Sequence, residues 1–476
     1  MADLLHVAAR LRALQNGQAV PIVSQRQMVI QPHARILTLL SMAGEDTSVH
    51  AAALGRFGEP ARIRVVADPR RRDDQYALLR WLLPFFEEYY AQCRAEGTFP
   101  QIWVSSAGAL GHLDTLADRL RFTDEADIQR LGNLWTYAGE RSPVAGQQAL
   151  ISASGALRLH YATGQQEAED EHLLALLTWI EPPPGRDIYA AVATAEATPM
   201  GVKTDPQFDR LHLQPAITDF HNAGSDAERA FHQTRIQQML EGVIRPIYTA
   251  TQRAMALLSA PRWQANPALE ELAEQESGEF ARFMLARDQG HRLPYRDSPK
   301  VGAMKIAARE RAIENVKAGM LRHDRAARER GVVKGGVLRG QLADVREHHL
   351  GPRWFEYDLV LTSRQDGLHL RPGDKLWLMD GRKLSLQITG IERNGPFTWV
   401  TGRVGEGKNA AKKMSAGPTL DFGPGGPDWR GLGRALGQMK TRLTHAPWTH
   451  SDVLPAATPS RRAMPANLRA AVEDLT

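Results

Sequence analysis

Apolar and polar positions change period several times along the 476 residues, and each change marks an element. Three short apolar runs come first: Arg35–Ser41 (RILTLLS), Ser48–Arg56 (SVHAAALGR) and Ala61–Ala67 (ARIRVVA). Gly44-Glu45-Asp46-Thr47 and Gly58-Glu59-Pro60 separate them as turns, so the pattern predicts three strands. From Asp73 to Ala95 the period becomes helical, with Leu78, Leu79, Leu82, Phe86 and Tyr89 on one side. Gln101–Ser105 reads as a fourth strand and Leu110–Arg121 as a second helix. Ala149–Tyr161 then reads as a hairpin and Glu169–Ile180 as a helix stopped by Pro182-Pro183-Pro184-Gly185. Ile188–Thr194 returns as a strand, and Thr198–Pro215 is a connector.

Beyond Ser225 the helical signal dominates. Ser225-Asp226-Ala227-Glu228 is a capping box, and its helix runs to about Ser259 with a bend near Pro246. Asn266-Pro267 opens a helix ending near Gly290. Val301–Gly331 is a third, about 45 Å long at roughly 1.5 Å per residue. Three long helices with short joints predict an antiparallel stalk. Period two then takes over in Trp354–Leu361, Lys375–Met379, Lys383–Ile391 and Phe397–Val404. Arg371-Pro372-Gly373-Asp374, Asp380-Gly381 and Arg393-Asn394-Gly395-Pro396 supply the turns of a small β-barrel. Gly405–Thr476 is rich in Gly, Pro, Lys and Arg, with a short amphipathic piece near Asn467–Leu475. The expected fold class is α+β and multidomain: an α/β unit over 1–200, a helical stalk over 201–350, the barrel over 351–420 and a basic linker over 421–476.

Composition narrows this only a little. Bases outnumber acids 59 to 54, so the charge permits a polyanionic partner without requiring one. Cys93 is the single cysteine, which excludes a disulfide framework and fits a reducing cytoplasm. No apolar run reaches the roughly 18 residues of a membrane span, and no GxxxxGK[ST] loop is present. Neither membrane nor ATP chemistry is expected.

Four groups of residues could carry chemistry. A nuclease of this element order needs two divalent ions on several carboxylates, one of them inside the first strand. Arg35–Ser41 holds none, leaving Glu45, Asp46 and Asp114 as the available acids, so this unit is expected to be inactive. Magnesium enters only on the nuclease alternative; otherwise no metal or cofactor is expected. On the Val301–Gly331 arm, Ile306, Ile313 and Met320 form an apolar seam, while Arg311, Arg322 and Arg325 project from the other side as a phosphate-tracking edge. Its rival is a solvated mixed face with Glu310, Glu314 and Glu329. On the barrel, Lys383, Trp399 and Arg403 sit at alternating positions that suit base stacking and phosphate contact. Gly405-Glu406-Gly407-Lys408, with Lys412 and Lys413, has the wrong spacing for a phosphate loop and reads as a basic loop brushing a backbone. His348-His349 beside Glu347 is a weak metal candidate.

Three strands, a helix, a fourth strand and a second helix form the element order of a ribonuclease-H-like fold. The helices, the barrel near Trp354 and the tail through Ala446-Pro447-Trp448-Thr449-His450 resemble the region ahead of the motor in bacterial superfamily 1 helicases. Met464-Pro465-Ala466-Asn467-Leu468-Arg469-Ala470-Ala471-Val472-Glu473 resembles the lead-in to such a motor. The resemblance implies a nucleic-acid-binding scaffold for single-stranded or forked substrates, working beside a separate helicase motor subunit. It implies no ATPase residue in this chain. A metal-dependent nuclease and an assembly component of a defence or repair complex are the rival expectations.

Overall fold

The computed structural model describes residues 4–45, 47–291, 293, 297, 299–351 and 354–425. Apart from the first part of one helix (residues 299–310), these elements belong to one compact unit, Met1–Leu293 with Arg311–Gly426. The chain opens with α1 (Leu4–Asn16) and the short β1 (Val20–Pro21). The three expected strands follow as β2 (Arg35–Ser41), β3 (Val49–Arg56) and β4 (Arg62–Val65). Next come α2 (Arg72–Ala95), β5 (Ile102–Val104), α3 (Ala107–Leu120), α4 (Ala126–Glu140) and β6 (Leu150–Ser152).

These strands make one sheet in the order β4-β3-β2-β5-β6. β2, β3 and β4 pair antiparallel, while β5 runs parallel to β2 and β6 parallel to β5. Every residue of β2 is buried, because both faces of the sheet are covered. Leu37, Leu39, Ala52 and Leu54 face a core shared with α2, α3 and α4. Ile36, Leu40, Ala51 and Ala53 face the opposite core.

That second core corrects the expected stalk. After α5 (Ala153–Arg158), β7 (Tyr161–Ala162), α6 (Leu173–Ile180), α7 (Ile188–Glu196), the one-turn α8 (Pro206–Phe208) and α9 (Gln214–Asn222) comes α10 (Asp226–Ser259). Ile236, Leu240, Ile244 and Ile247 of α10 lie in the same core as Ile36 and Leu40. This helix is a layer of the α/β unit, held there by burial of its apolar stripe. α11 (Pro267–Asp288) places Phe280 and Met284 in the core on the other side of the sheet. The expected strand at Ile188–Thr194 is helical, since Asp187 accepts the Ala190 N–H at 2.9 Å and starts α7.

The long third helix is broken. α12 (Pro299–His323) stops before Asp324, and α13 (Arg325–Val333) starts after it. Buried Asp324 accepts from the Ala326 and Ala327 N–H groups and from the Ser24 hydroxyl at 2.9 Å. One carboxylate therefore caps the new helix and ties it to the amino-terminal segment.

Past α13 lies a closed barrel with strand order β10-β11-β12-β9-β8-β13. Its members are β8 (Leu338–Gly351), β9 (Trp354–Ser363), β10 (Lys375–Leu378), β11 (Ser385–Asn394), β12 (Phe397–Val404) and β13 (Thr419–Pro424), with the one-turn α14 (Lys408–Ala411) before β13. Leu359, Leu361, Leu386, Ile388, Val400 and Phe422 are among its own buried core residues. The barrel therefore begins at Leu338, inside the region expected to be stalk, and closes through β13, inside the region expected to be loop.

Gly335 makes the turn from α13 into the barrel. Its φ is +73°, and an added Cβ would sit 2.0 Å from the Gly367 carbonyl oxygen. Left-handed backbone costs a non-glycine residue about 1–2 kcal/mol before any clash. Gly335→Ala is expected to lower stability by at least about 2 kcal/mol, read as a urea midpoint shift. An unchanged midpoint would show that the turn tolerates a side chain.

Among the described residues, no helix is long and apolar enough to cross a membrane.

Candidate nucleic-acid interface

The carboxyl edge of the sheet is where the candidate acids would need to meet, and it is filled. Ser41 N–H donates to the Val202 carbonyl at 2.8 Å, and Thr204 N–H donates to the Ser41 carbonyl at 3.0 Å. Asp209 accepts from the Ala43 N–H at 2.8 Å. The connector is thus laid along the end of β2, leaving a cavity of about 10 Å³ among Leu39, Val104, Leu113 and Val202. That volume takes at most about one water.

The acids themselves are dispersed. Glu45 is held by Arg70 at 3.3 Å. Asp114 lies on α3 against Gly139 of α4, and burial raises its carboxyl above the usual range, with Asp118 adding to the shift. Asp46 lies outside the described residues. Among the described residues, no three His, Cys, Asp or Glu side chains form a metal-holding group. His348 is bonded to Asp358 at 2.9 Å on a strand face, while His349 packs its ring on Phe355 and lies 3.8 Å from Glu347, so the two histidines go to different partners.

The barrel surface shows which cations remain available. On β12, Trp399 and Arg403 are exposed, while Val400, Gly402 and Val404 are buried, as the alternation predicts. Arg403 reaches Asp358 and Glu356, both at 3.1 Å, and its guanidinium is held charged above the ordinary value by Asp358 first. Lys383 lies 3.9 Å from Glu406, which also faces Lys375 at 3.7 Å. Paired cations of this kind release few counterions to a polyanion.

The basic loop is different. Gly407 has φ +81°, and a Cβ there would meet the Lys383 carbonyl oxygen at 2.1 Å. This tight turn throws the chain into α14. Lys408 Nζ donates to the Phe355 carbonyl at 3.1 Å, and Lys412 Nζ sits 6.0 Å from the Phe355 ring centre. Lys412 and Lys413 are exposed, with no carboxylate within ion-pair distance among the described residues. The His349 ring stands edge-on to Phe355 at 4.7 Å. Two aromatic rings with Lys408 and Lys412 at Phe355, and exposed Lys413 next in the chain, make a small surface that can stack on a base and neutralise its flanking phosphates.

The arm arginines sit apart from this surface in the chain. Arg311 and Arg322 are on α12, and Arg325 opens α13. Burial lowers the Arg311 pKa. Arg322 and Arg325 make no ion pair among the described residues.

Phe355 was not picked out by the sequence pattern, and His349 only as a metal candidate, because their association with the lysine loop is made by β8–β9 pairing and the position of α14. Arg339 was also missed: it bonds Glu329 on α13 at 2.8 Å and Asp421 on β13 at 2.8 Å, stapling helix to barrel. Comparison of the chain with protein-family models, curated proteins and solved structures finds no match.

Proposed function

We propose that the chain is a nucleic-acid-binding scaffold whose barrel lays a single strand across Phe355, His349, Lys408, Lys412 and Lys413. The single observation carrying this reading is the pairing of exposed lysines with two contacting rings on a closed barrel. The sheet supports it from the other end of the chain. An order of β4-β3-β2-β5-β6, with only β3 antiparallel to its neighbours on both sides, is consistent with the expected ribonuclease-H-like unit. A copy with no carboxylate in β2 and a filled carboxyl edge fits binding without cleavage.

Fluorescence anisotropy with a labelled single strand tests the site. The Lys412→Glu/Lys413→Glu double variant is expected to bind at least tenfold more weakly than wild type, because two phosphate contacts become repulsive. Equal affinity would remove the barrel lysines from the interface. With Mg²⁺ or Mn²⁺, wild type and Asp114→Asn are expected to leave the strand intact alike. Cleavage that disappears in Asp114→Asn would instead favour the nuclease alternative.

A further inference from the structure

A second concavity lies far from the barrel lysines in the chain, between α1, β1 and α13. It has a volume of about 490 Å³, within the roughly 300–1,000 Å³ of small-ligand pockets. His6, Arg12, Arg330 and Lys334 line it, and none of its ten lining residues carries a carboxylate. The remaining lining is aliphatic, chiefly Val20, Pro21, Ile22 and Val23.

The cations are placed by the fold. His6 and Arg12 are six positions apart on α1, and Arg330 and Lys334 are four apart at the end of α13. Arg330 Nη1 donates to the Ile22 carbonyl, which pins the arginine against the aliphatic segment. Arg12 and Arg330 have no carboxylate partner among the described residues. Arg10, two residues from Arg12, behaves otherwise: in the adjoining cavity it faces Asp170 at 3.5 Å and donates to the Gln165 carbonyl at 2.6 Å. Positive charge converging from lining residues that carry no carboxylate raises the potential in a concavity and selects an anion.

We propose that this pocket binds a nucleoside phosphate, supplied either as a free mononucleotide or as the phosphorylated end of a strand. The guanidinium forks of Arg12 and Arg330 match phosphate oxygens in a bidentate manner, and a dianion suits several cations better than a lone carboxylate. The Val20–Val23 segment gives the ring of a nucleoside an apolar bed. The site does not depend on the barrel reading, and it can exist whether or not a strand crosses the lysine loop.

Calorimetric titration of the full chain with AMP, adenosine and inorganic phosphate tests it. AMP is expected to bind at least tenfold more tightly than either adenosine or inorganic phosphate. Arg12→Glu, at an exposed position, is expected to erase that ratio, and Lys334→Gln to reduce it several-fold. A strand phosphorylated at one end that binds tenfold better than its dephosphorylated form assigns the pocket to strand ends; a preference confined to AMP assigns it to free nucleotide. The Lys412→Glu/Lys413→Glu variant is expected to keep the AMP ratio, which separates failure of this pocket from failure of the barrel site. Equal binding of AMP and adenosine, inorganic phosphate competing as well as AMP, or a ratio that survives both substitutions overturns the proposal.

Discussion

Acidification from pH 6.5 to 4 is expected to destabilise the fold through His50 and His160, well before most carboxylates titrate. Both rings are buried, and burial is the main cause that lowers each pKa from 6.5 to about 4. The His160 ring uses both nitrogens in its neutral form: Nδ1 donates to the Ala156 carbonyl at 2.8 Å, and Nε2 accepts from the Gln27 N–H at 3.2 Å. A second proton would break the Gln27 bond and place charge beside Arg26 and Arg262. His50 meets the Ala67 carbonyl at 3.3 Å through Nε2. The unfolded chain takes up these protons near pH 6.5 and the folded chain only near 4. Stability is therefore full above pH 6.5 and is lost as pH falls. A gap of this size is worth about 3 kcal/mol for each histidine, against a total of about 5–15 kcal/mol for a folded domain. Asp170, buried and raised by desolvation, works in the opposite direction at the acid end, where its protonation relieves a penalty. Urea midpoints measured from pH 7 to 4.5 are expected to fall steeply, and His160→Gln is expected to remove about half of the slope. A flat profile in wild type would mean that neither ring is held neutral.

Removal of the buried carboxylate of Glu276 is expected to have a comparable effect at neutral pH. Glu276 on α11 is fully buried and accepts from Tyr137 Oη at 2.9 Å, Arg141 Nε at 2.8 Å and Gln147 Nε2 at 3.3 Å. Tyr137 and Arg141 come from α4 and its C-cap, so this carboxylate joins α11 to the α/β layer. Glu276→Ala leaves a half-buried guanidinium and a buried hydroxyl without their acceptor. Breaking a buried pair from one side costs about 3–5 kcal/mol. The combination Arg141→Met with Glu276→Leu is expected to recover most of that loss, since the cost belongs to the unpaired charge and not to the missing bond. Equal instability of the single and double variants would instead place the whole cost in lost packing.

The sheet was legible in the sequence wherever a strand is buried on both faces. Six consecutive apolar or small residues after Arg35 in RILTLLS, bounded by turns, leave few alternatives to an interior strand. The long helices were legible as helices but not as layers, because a stripe such as Ile236, Leu240, Ile244 and Ile247 does not say whether a sheet or another helix covers it. β8 escaped because only Leu338, Gly340 and Leu342 alternate inward, and its outer half, Val345 to Gly351, is a solvent-facing hairpin arm with no buried residue. β13 escaped because Gly and Pro surround six residues whose strand character comes from closing the barrel. The alanine-rich Ile188–Glu196 has weak periodicity, and its cap at Asp187 was the better signal.

The lysine loop could be found from composition alone, while its ring partners could not. Phe355 and His349 reach it through strand pairing, and Arg330 meets Ile22 from 308 positions away. Such sites have no local signature because tertiary contacts assemble them. The same contacts explain why Arg403 and Lys383 looked available: Asp358 and Glu406 are distant in sequence and adjacent on the barrel wall.

The salt dependence of single-strand binding by the intact chain tests the central claim most directly. Each phosphate neutralised by a lysine contributes a slope of about −0.7 to log K against log[salt] for a single strand. Three engaged lysines therefore predict a slope near about −2, with the two-lysine variant near about −0.7. A wild-type slope near zero, or no binding at low salt, would contradict a strand lying across Phe355 and its lysines.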